Sequence, residues 1–253
     1  MSTTLQESPL DILYQDQHLV AINKPSGLLV HRSMIDKHET RFAIQLLRDQ
    51  IGQRVYPVHR LDKPTSGVLL FALDSDTARL LGEQFGGEGV QKKYLAVVRG
   101  YTPEHEVIDY PLREALDKMT DARADQDKAA QAAVTEYRRL ATVELPFPVG
   151  PYDTARYSLL QLQPRTGRKH QLRRHMKHIF HPIVGDTTHG DGKQNQFFRW
   201  QLDCQRLLLA ATHLSFIHPH SDAKVILKAP LDDVFRNIIE ELDWHELYTR
   251  SMQ

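Results

Sequence analysis

Apolar positions along this chain alternate in some stretches, run together in others and recur at helical spacing in a third group. Leu10-Asp11-Ile12-Leu13-Tyr14 and the run from His18 to Asn23 flank the polar Gln15-Asp16-Gln17, which predicts a hairpin. Phe42, Leu46, Leu47 and Ile51 fall at helical spacing, and Gly52 supplies the stop. Val55 to Leu61 reads as a strand, Lys63-Pro64 breaks regular structure, and Gly67 to Leu73 is a second, largely buried strand. Asp74 or Ser75 can cap a helix through Phe85 with Leu80 and Leu81 on its buried side, and Gly86-Gly87 ends it. A strand follows around Lys93 to Arg99. Residues 114–133 are charged and Ala-rich without an apolar stripe, and read as a mobile loop or insertion. Tyr157 to Leu162 predicts a strand that leads into a helix over Gly167–Ile179. His213 to Ile217 and Lys224 to Leu227 predict another hairpin around Pro219-His220-Ser221-Asp222. Leu231, Val234, Phe235, Ile238, Ile239 and Leu242 form one stripe of an amphipathic helix. There is no internal repeat. Strands and helices mixed without strict βαβ alternation favour an α+β domain with a largely antiparallel sheet.

At 253 residues and 41% hydrophobic content, the chain can bury a proper core in one large domain or two small ones, and no linker divides it. A lone cysteine, Cys204, excludes an internal disulfide framework and a multi-cysteine zinc site. No apolar run approaches the roughly 20 residues needed to cross a membrane, and Met1 to Pro9 lacks the regions of a signal peptide. The expectation is a soluble cytoplasmic protein. Lys plus Arg equals Asp plus Glu at 32 each, so net charge says nothing about partners. Local charge says more. Between Pro164 and Gly185 stand Arg165, Arg168, Lys169, Arg173, Arg174 and Lys177, with four histidines and no acid. Residues 231–253 are acidic in turn. A cationic helix entry suits a phosphate backbone, aided by the positive end of the helix dipole, although a solvated cationic face is the plainer alternative.

The candidate chemistry lies in His59-Arg60-Leu61-Asp62-Lys63-Pro64-Thr65-Ser66-Gly67. A carboxylate at a strand end beside a rigid turn is held in place and can reach a ligand, though Asp62 could equally cap the turn's own amides. His170, His175, His178, His181 and His189 raise a metal site, but no His-Glu-x-x-His pattern occurs and the surrounding cations would repel a divalent ion. Gly82, Gly86, Gly87 and Gly89 form no phosphate-cradling fingerprint. Neither a metal nor a cofactor is expected.

His59-Arg60-Leu61-Asp62 followed by Thr65-Ser66-Gly67 resembles the catalytic motif of the RluA-type pseudouridine synthases, whose Asp is essential. Three more matches follow the family's order: Asn23-Lys24-Pro25-Ser26-Gly27, then Lys93 to Gly100, then Thr166-Gly167-Arg168-Lys169-His170-Gln171-Leu172-Arg173-Arg174-His175. The resemblance implies a long mixed sheet with the active cleft across its middle. It implies Asp62 as nucleophile, Arg173 as its electrostatic partner, Leu172 packed on a flipped base, and Tyr94 stacking on that base or assisting proton removal from C5. A carboxylate in a water-poor pocket favours its neutral form, and a partnered arginine opposes that. Arg60 would fill the vacated stack or hold a phosphate, and the family suggests the former. Arg168 and Lys169 would contact the backbone, His59 and Thr65 would belong to the substrate-binding side, and Lys24-Pro25 would support the pocket from below. Within the family, Val30-His31-Arg32-Ser33, Asp49-Gln50-Ile51-Gly52-Gln53 and the third motif are most similar to the branch that modifies uridine 65 of transfer RNA. With Asn23 so near the start, no N-terminal S4-type RNA-binding domain is expected. Ala210 stands where the family usually has a histidine after Arg206-Leu207-Leu208-Leu209. The expectation is one catalytic domain over 1–253, a monomer acting on tRNA. A ribosomal or dual-specificity enzyme and a silent RNA-binding module are the alternatives.

Overall fold

The predicted first hairpin forms as β1 (Asp11–Gln15) and β2 (Leu19–Lys24), with Asp16 closing the turn by accepting the His18 and Leu19 amides. The computed structural model describes residues 9–32, 39–87, 89–114 and 129–251. Strand β4 (Ser66–Ala72) is buried along its length. It pairs antiparallel with β2 on one side and, through Ser66 and Gly67, parallel with β9 (Leu209–Ile217) on the other. Gly67 has φ 111°, and a Cβ there would sit 2.1 Å from the Ala211 carbonyl oxygen. Only glycine permits that approach. Strand β5 (Gln91–Arg99) joins β9 to β8 (Ala155–Pro164), and β7 (Val134–Leu145) and β6 (His105–Asp109) extend the far edge. With β10 (Lys224–Lys228) on β9 and the short β3 (Tyr56–Pro57) on β4, the described residues build one ten-stranded sheet of order β1-β2-β4-β9-β5-β8-β7-β6. The α+β, mainly antiparallel expectation holds.

Helices cover both faces. The first, α1 (Ala43–Ile51), ends at left-handed Gly52 and packs Ala43 and Leu47 on Val20, Ile22, Leu69 and Phe71. On the opposite face α2 (Ser75–Gly86), capped by Asp74, brings Leu81 against Leu19, Ala21 and Leu70. In the other half of the sheet, α3 (Gln171–His178) lays Leu172 and Met176 on Ala96, Val98, Leu160 and Leu162. Behind it α4 (Gly192–Gln201) and α5 (Asp233–Glu241) pack Phe197, Phe198, Phe235, Ile238 and Ile239 on Leu95, Val97, Tyr157 and Leu159. Each such side chain contributes roughly 1.5–3 kcal/mol on burial. The chain closes with α6 (His245–Ser251).

Several boundaries differ from the pattern reading. Of Val55–Leu61 only Tyr56 and Pro57 form a regular ladder; beyond them the Val58 amide donates to the Leu70 carbonyl at 3.4 Å, while the Leu70 amide turns to the His59 ring. The helix expected from Gly167 begins at Gln171. His170 has φ 55°, and the Gln171 side chain accepts from the Arg168 amide and the Thr166 hydroxyl, folding the entry into a turn. Neither β7 nor α4 carries a clean period: the β7 register shifts between Arg139 and Ala141, and the aromatics of α4 cluster at one end. Of the loop expected over 114–133, residues 115–128 lie outside the described residues, and Gln131 bridges to Leu112.

Candidate active site

The loop before β4 sets Asp62 at the middle of the sheet. The Thr65 amide donates to the Asp62 carbonyl across the Lys63-Pro64 turn. The segment after β2 locks that turn from below: Gly27 N–H donates to the Lys63 carbonyl and the Ser26 hydroxyl to the Pro64 carbonyl. Fully buried Lys24 donates to the carbonyls of Pro25, Leu28 and Lys63 at 2.8, 2.8 and 3.1 Å. Burial pushes this ammonium down to about 7, with the charge of Arg206 adding to the effect and Asp62 opposing it. Three carbonyls match the three N–H bonds of the charged form. Arg206 braces the other side, donating to the Ser66 hydroxyl and the Leu209 carbonyl while paired with Asp232. Ala210 lies buried beside it, paired with Ser66 across the parallel junction.

Arg173 reaches Asp62 from the first turn of α3. Its Nη1 lies 3.0 Å from Asp62 Oδ2, while Nε and Nη2 donate to the two oxygens of Asp186 at 2.7 and 2.8 Å. Asp186 is 1% exposed, and its Oδ1 also accepts the Thr188 and His189 amides at 2.9 Å. Burial alone would raise this carboxyl, but the Arg173 hydrogen bond, the two amides and the Arg173 charge outweigh it and hold it below the ordinary carboxylate range. The turn around Asp186 is itself fixed. Gly185 has φ 80° and a Cβ there would meet the Arg206 carbonyl oxygen at 1.9 Å, and Asn195 of α4 accepts the Gly185 amide and donates to the Asp186 carbonyl.

His170 completes the ring of groups around Asp62. Its Nε2 is 3.8 Å from Asp62 Oδ2 and its Nδ1 is 3.0 Å from His189 Nε2. Burial lowers both imidazoles, His189 to about 4, so they are neutral near pH 7. Tyr94 projects from β5 into the same space, where burial first and the Asp62 charge second push its phenol up. It is an uncharged donor there. Leu172, buried at the start of α3, supplies an apolar wall.

His59, Arg60, Asp62, Thr65, Tyr94, Arg168, Lys169, Leu172 and Arg173 all line one cleft of about 530 Å³. The sequence assigned all nine to chemistry or binding. His59 also supports the fold. Its Nε2 accepts the Leu70 amide, its ring stacks on Phe85 at 4.9 Å, and burial pushes it down to about 3. Arg60 and Lys169 are exposed at the rim, and Arg168 donates through Nε to the Ala132 carbonyl. Sequence reasoning missed Asp186, whose signal is that it is the first acid after the cationic stretch. It met His170 as a metal candidate and as a member of the third motif, with no role at Asp62. Of the neighbouring histidines, His175 and His181 serve the fold. His175 bonds Thr135 and the Tyr110 carbonyl, His178 stacks on Tyr110, and His181 bonds the Arg99 carbonyl. Among the described residues, His18, Asp74 and His220 stand close enough to share a cation. Their imidazoles stack face to face at 3.8 Å, so the in-plane lone pairs do not converge, and Thr77 already occupies both Asp74 oxygens.

Residues 18–178 match the family of RNA pseudouridylate synthases. The chain belongs to that family. As an RNA pseudouridylate synthase it is an isomerase, and the cleft's carboxylate, cation and apolar wall fall inside or beside the matched segment. The tRNA pseudouridine synthase C of Vibrio cholerae is 56% identical over 237 residues, covering 94% of this chain and 97% of that one. That of Haemophilus influenzae is also 56% identical, over 238 residues, covering 94% and 100%. Among solved structures, human RNA Pseudouridylate Synthase Domain Containing 4 superposes with a TM-score of 0.68 at 29% identity, covering 92% of this chain and 93% of that one. The human Domain Containing 1 protein shares the fold at a TM-score of 0.65 and 23% identity.

Proposed function

We propose that this synthase converts a uridine of tRNA, uridine 65, to pseudouridine, with Asp62 as the nucleophile. The observation that carries the reading is Asp62 held 3.0 Å from an arginine that Asp186 fixes from behind, between Tyr94 and Leu172. The relatives named tRNA pseudouridine synthase C span nearly the whole chain and support tRNA as substrate. The reaction breaks the N1–C1′ bond, turns the base and joins C5 to C1′. The C5 proton leaves and N1 gains one, so no oxidant or energy source is consumed. The Asp62 carboxylate makes the transient covalent bond, at the uracil ring or at C1′. Arg173 then stabilises the carboxylate each time it is released. Tyr94, uncharged, stacks on the base as it turns against Leu172. Extrusion of the uridine costs roughly a few kcal/mol, and Arg60 occupies the vacated stack. Among the described residues no helix is long and apolar enough to cross a membrane. The reading places a monomer with its tRNA in the cytoplasm.

Mapping pseudouridine in tRNA and ribosomal RNA from cells with and without the gene tests this reading. Loss confined to position 65 of tRNA is the expected result. Loss confined to ribosomal RNA, or no loss, overturns it. The rim cations provide a second expectation. Arg168→Ala and Lys169→Ala should weaken binding equally for all RNA sequences, each flattening the log–log salt dependence by about 0.7–0.9. Arg60→Ala should instead slow single turnover at saturating enzyme, because extrusion is part of reaching the transition state. A normal single-turnover rate with a flattened slope would reduce Arg60 to another backbone contact.

A further inference from the structure

The residue that ends α3 has a conformation its side chain does not suit. The Phe180 amide donates to the Lys177 carbonyl and the His181 amide to the Met176 carbonyl, at 3.0 and 2.9 Å. This pair of bonds is the Schellman closure of a helix, and it puts Phe180 at the left-handed position that glycine normally occupies. Phe180 has φ 64°, where a Cβ is strained against the backbone. Its neighbours fix the backbone there: Ile179 packs on the core beneath α3 and His181 bonds the Arg99 carbonyl. The ring gains nothing from packing in return, since Phe180 is 85% exposed. A glycine would relieve both the strain and the apolar exposure. A large aromatic held in this place points to a ligand for its face.

The surroundings indicate which ligand. Leu172 and Met176 face the sheet, which leaves Arg174, Lys177 and His178 on the outer side of α3. Among the described residues neither Arg174 nor Lys177 is in an ion pair. His178 stacks on exposed Tyr110 with ring centroids 3.6 Å apart. Asp109, next to Tyr110, is an acid at the edge of the group. Exposed aromatic faces among unpaired cations match the needs of an unstacked nucleotide, whose base stacks while its phosphate is neutralised. The same helix carries Arg173 in its first turn. Five residues of helical rise, about 7.5 Å, separate Arg173 from His178 at the end of α3, and Phe180 follows two positions later.

We propose that Phe180, with Lys177 and the Tyr110–His178 stack at the same end of α3, is a second RNA contact, a stacking platform for a nucleotide of the substrate outside the catalytic cleft. The proposal rests on the RNA-modifying reading above. It is tested on the full chain with Phe180→Gly, Phe180→Leu and Phe180→Trp, using an unmodified tRNA transcript as probe.

Phe180→Gly should melt at the same temperature as the parent or higher, because strain is relieved. It should bind the transcript about 5- to 160-fold more weakly, the range expected for loss of one base–aromatic stack. Its single-turnover rate at saturating enzyme should be unchanged. Phe180→Leu, which keeps the bulk but has no π face, should bind as poorly as Phe180→Gly, and Phe180→Trp should bind as well as the parent. An unchanged dissociation constant in Phe180→Gly overturns the platform. So does a lower melting temperature, which would make the ring structural, or a concentration-dependent self-association lost in Phe180→Gly with RNA affinity intact, which would assign the ring to a second copy. The parent enzyme separates the two readings. If it binds the transcript without forming pseudouridine, the tRNA assignment fails, while the difference between parent and Phe180→Gly still decides the platform.

Discussion

Asp62→Asn should abolish turnover, by roughly 10⁴-fold or more, as expected when a covalent nucleophile is removed. The substitution keeps the side chain's shape and removes its charge and its attacking lone pair. Arg173 remains clamped by Asp186, so the cleft should keep its form, with the new amide turning its oxygen toward Arg173 Nη1. Arg168 and Lys169 are untouched at the rim, so RNA affinity should stay within a few-fold of the parent. Release of tritium from RNA labelled at C5 of uridine reads the reaction directly, since that hydrogen must leave. Residual activity above about 1% would remove Asp62 from the nucleophile's role.

The second large effect concerns the group behind the arginine. Asp186→Asn should cut the single-turnover rate by roughly 10²-fold while leaving RNA affinity little changed, because Arg173 loses the bidentate partner that aims its third nitrogen at Asp62. Arg173→Met should be at least as damaging. Combined, the two should cost little more than Arg173→Met alone, since residues in one network are not additive. Additive losses in that cycle would show that Asp186 does not act through Arg173. The same change destabilises the fold at neutral pH, as removing one member of a buried pair does. The folded-state value of Asp186 is depressed, so its stabilisation is present above the unfolded value of about 3.9 and disappears as pH falls through the lower folded one. The gap in melting temperature between parent and Asp186→Asn should therefore narrow below about pH 4.

Much of this site could be read in the sequence because its parts are short and local. The Asp62 turn needs Pro64 and Gly67 at fixed offsets, and Gly67 is required where β4 meets Ala211. The hairpins, the Asp74 cap and the stripe of α5 follow from patterns that a few residues carry. Partners that meet only in space were harder to see. Asp186 is one acid in a turn, and nothing in the order of residues says that its oxygens face Arg173. His59 reads as part of a catalytic motif, yet its ring nitrogen stands in for a strand's carbonyl at Leu70. The late start of α3 came from the Gln171 side chain competing with helical hydrogen bonding, which periodicity does not register.

Among the described residues, the one parallel pairing between strands of the sheet, β4 with β9, also sets a schedule during synthesis. Arg206 and Ser66, which flank that junction, are 140 positions apart in the chain. At about 5–20 residues per second, β4 leaves the ribosome roughly 7–28 seconds before its neighbour exists. Through that interval β1 to β4 lack a partner for the Ser66–Gly67 end of β4, an open edge of the kind that invites aggregation or a chaperone. The later strands β5 to β8 wait as a separate piece on the other side of the gap. Strand β9 closes both edges at once and brings Arg173 up to Asp62. A truncation before residue 209 would therefore carry Asp62 and Arg173 without the strand that stands between their two parts of the sheet.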